Sequence, residues 1–245
     1  MTFKDQLLSW GNFLFRWRSY LPLLFLPLFV LALKDFNDLM GSETFDHLWE
    51  VFCLAVAGSG LSMRVLTVGY VPAHTSGRNT KRQEAGTLNT TGMYSAVRHP
   101  LYLGNFLIWL GIALFAHTWW LVLIAILAFW IYYERIIFAE EEFLRTRFGA
   151  EFEEWAGRTP TFVPAFRNWK TATLPFCWKS VLAREHSTLF ATILMFFSLE
   201  VTGDFFAGKM PRADLGWVLL TSVASVGYIM LRWMKKKKLL SVEGR

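Results

Sequence analysis

Two apolar stretches separated by a short turn, residues 101–116 and 119–138, constrain the fold of this chain most strongly. Each approaches the ~20 residues that a helix rising ~1.5 Å per residue needs to cross a ~30 Å hydrocarbon layer. Two such helices form a hairpin, so the chain returns to the side of the membrane that it left. The polar residues before the first stretch and the carboxylates after the second are therefore predicted to meet at one membrane face.

The rest of the chain has the composition of a membrane protein. It is 54% hydrophobic and 18% charged, and its mean hydropathy is +0.33. A soluble domain has more charge than this. The six predicted crossings are 20–39, 48–71, 101–116, 119–138, 187–206 and 214–234. Pro22 and Pro27 predict a kink in the first crossing. The sequence thus predicts an all-α, polytopic membrane helix bundle with about six transmembrane helices.

The distribution of lysine and arginine predicts the orientation of this bundle. With six crossings, most basic residues fall on one side, and only Lys34, Lys209 and Arg212 fall on the other. Because basic residues accumulate in cytoplasmic loops, both termini and both polar segments around the hairpin are predicted to be cytoplasmic. The lysine run 235–238 is interpreted as an anchor to anionic lipid. Basic groups spread along a membrane face do not favour a nucleic-acid partner.

The two polar segments that flank the hairpin are the candidate site. Pro100 suits the first turn of a helix, so Arg98 and His99 lie at a helix entrance that favours an anion. Residues 140–142 are three glutamates, and neighbours on a helix point ~100° apart. Glu141 is predicted to pair with Arg145 at i,i+4, which leaves another carboxylate to face the helix entrance. Taken alone, Arg98 and His99 could be a membrane anchor and a local cap, and the glutamates a solvated helix turn. Taken together at one membrane face, the two segments favour a functional site.

These segments resemble the isoprenylcysteine carboxyl methyltransferase family and its relatives, the phospholipid N-methyltransferases. The shared pattern is Gly-x-Tyr, Arg-His-Pro-x-Tyr-x-Gly, a helical hairpin, Glu-Glu-x-x-Leu and Phe-Gly. The matching residues here are Gly60, Arg64, Gly92, Tyr94, Arg98, His99, Pro100, Tyr102, Gly104, Glu141, Glu142, Leu144, Phe148, Gly149, Phe152, Trp155, Val163 and Pro164. The resemblance predicts a methyltransferase core at 58–164, between an N-terminal transmembrane region at 1–57 and an interfacial segment with two further helices at 165–245.

The resemblance implies an enzyme that uses S-adenosylmethionine as the methyl donor at the cytosolic face. The residues implied to bind this donor are Tyr94, His99, Tyr102, Gly104, Glu141 and Glu142. The two glutamates would bind the ribose hydroxyls or the ammonium of the donor, since carboxylates offset positive charge. Arg98 and Glu142 are the candidate catalytic residues, and Arg98 would bind the donor carboxylate or an acidic acceptor. The implied acceptor is the carboxylate, phosphate or amine head of a membrane lipid or isoprenoid.

Loop 72–91 departs most from the family pattern. Its Arg78, Asn79 and Lys81 are candidate acceptor-binding residues because they combine forked and point-charge donors. Arg64 is a further candidate because the resemblance includes it, although a side chain that snorkels to the cytosol explains it equally well. A solvated basic loop explains the loop residues equally well. Met93 replaces a proline that is common in the family, and the pattern does not account for the residues beyond 165.

Several questions stay open at the level of sequence. An NADPH-dependent membrane reductase of the sterol-reductase type, or a non-catalytic lipid-binding protein, are the alternative functions. Cys53 and Cys177 have no spacing that predicts a metal site, and no metal cofactor is expected. A bacterial inner membrane is the expected location. The acceptor, the choice between O- and N-methylation and the oligomeric state are not predicted.

Overall fold

The computed structural model describes residues 2–18, 20–34, 43–72, 75, 83, 85–206, 208 and 215–244. Every regular element within these residues is helical, which confirms the all-α membrane bundle. The helices are α1 (Phe3–Trp17), α2 (Leu26–Leu33), α3 (Glu43–Tyr70), α4 (Met93–Ala96), α5 (Pro100–Phe115), α6 (Trp119–Phe148), α7 (Ala150–Arg158), α8 (Trp178–Phe206) and α9 (Leu215–Lys236). Two 3₁₀-helices, Leu21–Phe25 and Phe166–Asn168, lie between them.

The described helices that could cross a membrane number four or five, where the sequence predicts about six. Helices α3, α6, α8 and α9 are long and apolar enough to do so. Helix α1 and the segment Pro22–Leu33 would form a fifth span, but they are bent by 82° relative to each other. Helix α5 is apolar but has only 16 residues. The count differs because α5 is short and because the predicted first crossing is not one continuous helix.

The two prolines of that predicted crossing explain its interruption. Pro22 lies in the first turn of the 3₁₀-helix, and Pro27 lies in the first turn of α2. Proline fits these positions because the amide of a first turn has no partner within the helix. At these prolines the predicted crossing changes from a 3₁₀-helix to an α-helix, whereas the 82° bend lies before Pro22. Residues 35–39 of the predicted crossing lie outside the described residues.

Helices α3 and α5 run antiparallel at very close distance. A Cβ atom on Gly60 would lie 2.5 Å from the carbonyl oxygen of Gly104, and one on Gly111 would lie 2.6 Å from that of Cys53. Only glycine permits this separation of the two backbones. Small residues at helix contacts are the usual means of tight packing in membranes, where little hydrophobic force acts between helices.

Helices α8 and α9 pack beside α3 and α5. Helices α8 and α9 are antiparallel neighbours: Phe190 stacks on Tyr228 at 4.7 Å, and the ammonium of Lys235 donates to the carbonyl of Ala183. The start of α8 and the end of α9 therefore lie together. At the far end of the bundle, Phe115 packs edge-on against Phe196 in the largest apolar cluster.

Helix α1, which the sequence analysis does not predict, covers the end of α6. Its first turn has a capping box formed by Thr2 and Asp5. A Cβ atom on Gly11 would collide with the carbonyl oxygen of Arg135 and lie 2.7 Å from the Cβ of Ala139. Glycine at this point of α1 therefore allows the two helices to touch, close to the carboxylates 140–142.

Candidate functional site

The turn before α5 is held by a glycine with positive φ and by backbone hydrogen bonds. Gly92 has φ 60° and ψ −135°, a conformation open mainly to glycine, and its N–H donates to the carbonyl of Lys170 at 2.9 Å. His99 is the N-cap residue of α5, and Pro100 follows in the first turn. The N–H of Arg98 donates to the carbonyl of Pro160 at 2.9 Å, which fixes the residue before the cap.

Arg98 and His99 meet the glutamates at the end of α6. His99 Nε2 lies 3.0 Å from Glu141 Oε1, and Arg98 Nε lies 3.3 Å from the same oxygen. Glu140 Oε2 lies 3.8 Å from His99 Nδ1. The His99 side chain is only 6% exposed. The hairpin of α5 and α6 thus brings the two polar segments together, as the sequence analysis expects.

Two polar atoms of this cluster have no hydrogen-bond partner. Arg98 Nε and Glu140 Oε2 are both buried and unsatisfied. The other end of the Arg98 guanidinium donates to the hydroxyl of Thr161. Buried polar atoms are nearly always hydrogen-bonded in proteins, so a donor atom and an acceptor atom that both lack a hydrogen bond in one cluster suit a ligand that carries both charges.

Glu142 has different partners from Glu141. Its carboxylate pairs with the ammonium of Lys4 on α1 at 2.5 Å and with the guanidinium of Arg145 at 2.8 Å. Arg145 also contacts Glu153 at 2.5 Å. The predicted Glu141–Arg145 pair is wrong, because Glu141 contacts His99 and Arg98 in the turn before α5 and Arg145 pairs with Glu142 and Glu153. The structure therefore brings Glu141 to the cluster and Glu142 to the surface contact with α1.

Aromatic rings support the cluster from the bundle side. The His99 ring stacks on Tyr102 with centroids 5.6 Å apart, and Tyr102 contacts Tyr133 at 4.7 Å. Both tyrosines are buried in an apolar cluster with Phe15 and Ile136. The predicted donor-site residue Tyr102 thus lies beneath His99 and fixes the plane of its ring.

Tyr94 lines a pocket of about 250 Å³. Its carbonyl accepts a hydrogen bond of 2.9 Å from the indole N–H of Trp155. Burial, and secondarily the Glu140 carboxylate, raises the pKa of its phenol well above the usual value, so the phenol stays protonated at neutral pH. The pocket is lined by Thr67, Tyr70, Val71, Pro72, Thr87, Leu88, Asn89, Thr90, Thr91, Met93, Tyr94 and Thr173.

Arg64 and Gly104 belong to a second polar cluster, between α3, α5 and α8. Arg64 forms a double ion pair with Glu185, with Nε–Oε2 at 2.8 Å and Nη2–Oε1 at 2.9 Å, and its Nη1 donates to Asn105 at 2.5 Å. A Cβ atom on Gly104 would lie 2.6 Å from Cγ of Arg64. Gly104 therefore makes room for the Arg64 side chain, and protein groups already bind the guanidinium.

Three predicted acceptor-binding residues and three unpredicted polar residues remain to be placed. Arg78, Asn79 and Lys81 lie outside the described residues. Sequence reasoning missed Glu185, Asn105 and Tyr133. Glu185 did carry a signal, since a glutamate near the start of an apolar helix is costly unless paired. Among the residues that the structure describes, no group of three or more His, Cys, Asp or Glu side chains could hold a metal ion.

Comparisons with known proteins agree with the family resemblance. Residues 69–151 match the model of the phospholipid methyltransferase family. An 85-residue region is 32% identical to a protein-S-isoprenylcysteine O-methyltransferase of Schizosaccharomyces pombe, covering 35% of this chain and 36% of that protein. The matched family region contains the turn at 92–99, the hairpin and Glu141. These findings confirm the resemblance to the integral-membrane methyltransferase superfamily.

Two bacterial relatives align over more of the chain. The cobalt-zinc-cadmium resistance protein CzcN of Cupriavidus metallidurans is 36% identical over 138 residues, which are 56% of this chain and 59% of that protein. The nickel-cobalt-cadmium resistance protein NccN of Alcaligenes xylosoxydans xylosoxydans is 35% identical over 126 residues, which are 51% and 56%. The chain therefore spans between about a third and three fifths of the curated relatives it matches. No solved structure matches it.

Proposed function

We propose that the chain is a methyltransferase that uses S-adenosylmethionine, because residues 69–151 match the phospholipid methyltransferase family and a shorter region is similar to an isoprenylcysteine O-methyltransferase. The proposed acceptor is the polar head of a lipid or isoprenoid within the same bilayer. The active site would be the cluster of Arg98, His99, Glu140 and Glu141 at the shared end of α5 and α6. Topologically, we propose that this end and both termini face the cytoplasm of a bacterial inner membrane.

The observation that carries this proposal is the contact between His99 and Glu141 across the hairpin. The two residues are 42 positions apart, and their side chains meet at 3.0 Å in a largely buried setting. Charged groups held together at the end of a membrane bundle are costly and are usually functional. The family-matched region supplies both of them.

The residues present fit the charges of the proposed donor. S-adenosylmethionine carries a carboxylate, an ammonium and a sulfonium. The unsatisfied Nε of Arg98 suits the carboxylate, and the unsatisfied Oε2 of Glu140 suits the ammonium or a ribose hydroxyl. Glu141, held by His99, would add negative charge that offsets the positive charge of the donor. The protonated phenol of Tyr94 would donate a hydrogen bond from the pocket side.

Methyl transfer requires mainly that the protein position the donor and the acceptor relative to each other. When bound, the donor would supply a methyl group to a lone pair of the acceptor, and its sulfur would leave with the electron pair of the broken bond as a neutral thioether. A carboxylate or phosphate acceptor is already ionised, so orientation and exclusion of water suffice. An amine acceptor would have to lose a proton, and Glu140 or His99 could take it. Arg78, Asn79 and Lys81 remain the proposed residues for an anionic acceptor head.

Binding of the donor to detergent-purified protein tests the proposal most directly. We expect isothermal titration calorimetry to show S-adenosylmethionine binding to the wild type. Replacing His99 by alanine removes the hydrogen bond to Glu141 and the ring that stacks on Tyr102. We therefore expect the variant to bind the donor at least about tenfold more weakly, since one hydrogen bond to a charged group contributes about 1.5–3 kcal/mol.

The matched control is His186→Ala. His186 lies on α8 and its Nδ1 is 2.8 Å from the carbonyl of Leu182, within its own helix. We expect this variant to bind the donor like the wild type. A folded wild type that does not bind S-adenosylmethionine but is stabilised by NADPH would favour the reductase. A protein that binds lipid and neither cofactor would favour a non-catalytic role.

A further inference from the structure

We infer that Glu185, at the start of α8, is a positioning residue of the proposed donor site. It acts through Arg64 and Asn105 on the tyrosines beneath His99. Neither Arg64 nor Glu185 lies in the family-matched region 69–151. The inference rests on the proposed function, and it assigns to the C-terminal helices a part in the site that the family pattern does not give them.

The first link is the double ion pair between Arg64 and Glu185. Both side chains are largely buried, with exposures of 15% and 7%. The two parallel contacts of 2.8 and 2.9 Å match the planar guanidinium fork to both carboxylate oxygens. This geometry fixes the position of the guanidinium relative to α8. The third contact, from Nη1 to Asn105, is therefore fixed as well.

The second link is the orientation of the Asn105 amide. Arginine has only donors, so the oxygen of the amide must face Arg64, and its NH₂ group must point the other way. That NH₂ group donates to the Tyr133 hydroxyl at 3.0 Å. Without Arg64, the amide could rotate and present its oxygen to Tyr133. The Glu185–Arg64 pair thus determines which hydrogen bond Tyr133 receives.

The third link runs through ring contacts to the proposed active site. Tyr133 packs against Tyr102 at 4.7 Å, and Tyr102 stacks on His99 with an interplanar angle of 11°. His99 in turn contacts Glu141. Close-packed rings transmit small displacements because interiors leave few voids. A shift of Tyr133 would therefore move the ring plane of His99 and weaken its contact with Glu141.

The alternative is that the ion pair only holds α3 and α8 together. A purely structural role and a positioning role of the ion pair predict different results when both residues are replaced by apolar side chains. Removal of one partner leaves a buried unpaired charge, which is strongly destabilising, whereas replacement of both by apolar residues of similar size is often neutral. An apolar pair can restore packing, but it cannot orient the Asn105 amide.

The experiment compares the wild type, Glu185→Gln and the double variant Arg64→Met/Glu185→Met. The unfolding midpoint in detergent and the Kd of S-adenosylmethionine are measured for each protein. We expect Glu185→Gln to lower the midpoint and weaken donor binding at least tenfold. The double variant should recover the midpoint of the wild type while its donor binding stays at least tenfold weaker. Glu154→Gln is the matched control and should change neither, because the Glu154 side chain on α7 is 73% exposed and pairs only with Arg158 among the described ion pairs.

Recovery of both the midpoint and the donor affinity in the double variant would overturn the inference and leave a purely structural ion pair. Wild-type affinity in a folded Glu185→Gln would overturn it too. If Glu185→Gln does not fold, the double variant alone decides between the two roles. A folded wild type without donor binding contradicts the proposed function itself, and the positioning role is then rejected with it.

Discussion

Glu141→Ala should reduce S-adenosylmethionine binding roughly thirty- to a hundredfold, on the order of 2–3 kcal/mol at 1.4 kcal/mol per tenfold. Glu141 is the shared partner of His99 and Arg98, at 3.0 and 3.3 Å. Its removal leaves the imidazole without its hydrogen-bond partner and the guanidinium without its nearby counter-charge. Each hydrogen bond to a charged group contributes about 1.5–3 kcal/mol, and unpaired buried groups add a desolvation cost. Calorimetric titration of the purified variant measures the loss.

The adjacent residue provides a stringent control for this experiment. Glu142 has the same chemistry and the same helix, but its carboxylate contacts Lys4 and Arg145. Exposed ion pairs contribute little, so Glu142→Ala should keep donor affinity within about threefold of the wild type. Equal losses in the two variants would contradict the division of roles between the neighbouring glutamates. They would instead favour the sequence-based hypothesis that both bind the donor.

Gly60→Ala should lower the free energy of unfolding by about 1–3 kcal/mol, the usual cost of forcing extra atoms into a packed interior. The new Cβ would lie 2.5 Å from the carbonyl oxygen of Gly104 and 2.9 Å from the amide nitrogen of Ile108. Both are backbone atoms, so no side-chain rotation relieves the contact and the two helices must separate. Separation would also move Arg64 relative to Asn105. The shift of the thermal midpoint in detergent measures the effect.

Gly58→Ala is the control on the same helix, two residues earlier. A Cβ atom there would meet nothing within 4 Å. Alanine is favoured over glycine within a helix by about 0.5–1 kcal/mol, so this variant should be as stable as the wild type or slightly more stable. An equal fall of the thermal midpoint in both variants would contradict the view that Gly60 is required for the close contact between α3 and α5.

The sequence was sufficient to predict the hairpin and its consequence. Alternation between long apolar stretches and polar segments determines which residues share a membrane face, so the meeting of His99 with a glutamate followed from chain direction alone. The particular glutamate did not follow. Neighbouring helical residues point in different directions, and the rotation of α6 depends on its packing against α1 and α5. The unpredicted contact of Gly11 with α6 is part of that packing.

The contacts of Arg64 and Gly104 could not be predicted from the sequence. Both match the family pattern, and the pattern alone suggested ligand contacts. In the structure, Gly104 makes room for Arg64, whose partners come from α5 and α8. Glu185, its counter-charge, lies 121 residues away. No local periodicity can predict a pair at such a separation, because it depends on how α8 returns to α3.

The shortness of α5 bears on how far the proposed lipid acceptor would have to travel. Sixteen residues rise about 24 Å, about 6 Å less than the hydrocarbon thickness of a typical bilayer. Such a mismatch is met by local thinning of the bilayer or by a helix end that lies below the headgroup plane. If α5 crosses the bilayer as proposed, His99 would in either case lie nearer to the acyl chains than a full-length helix would place it. A lipid could then present its head by lateral diffusion within its leaflet, without the energetic cost of leaving the membrane.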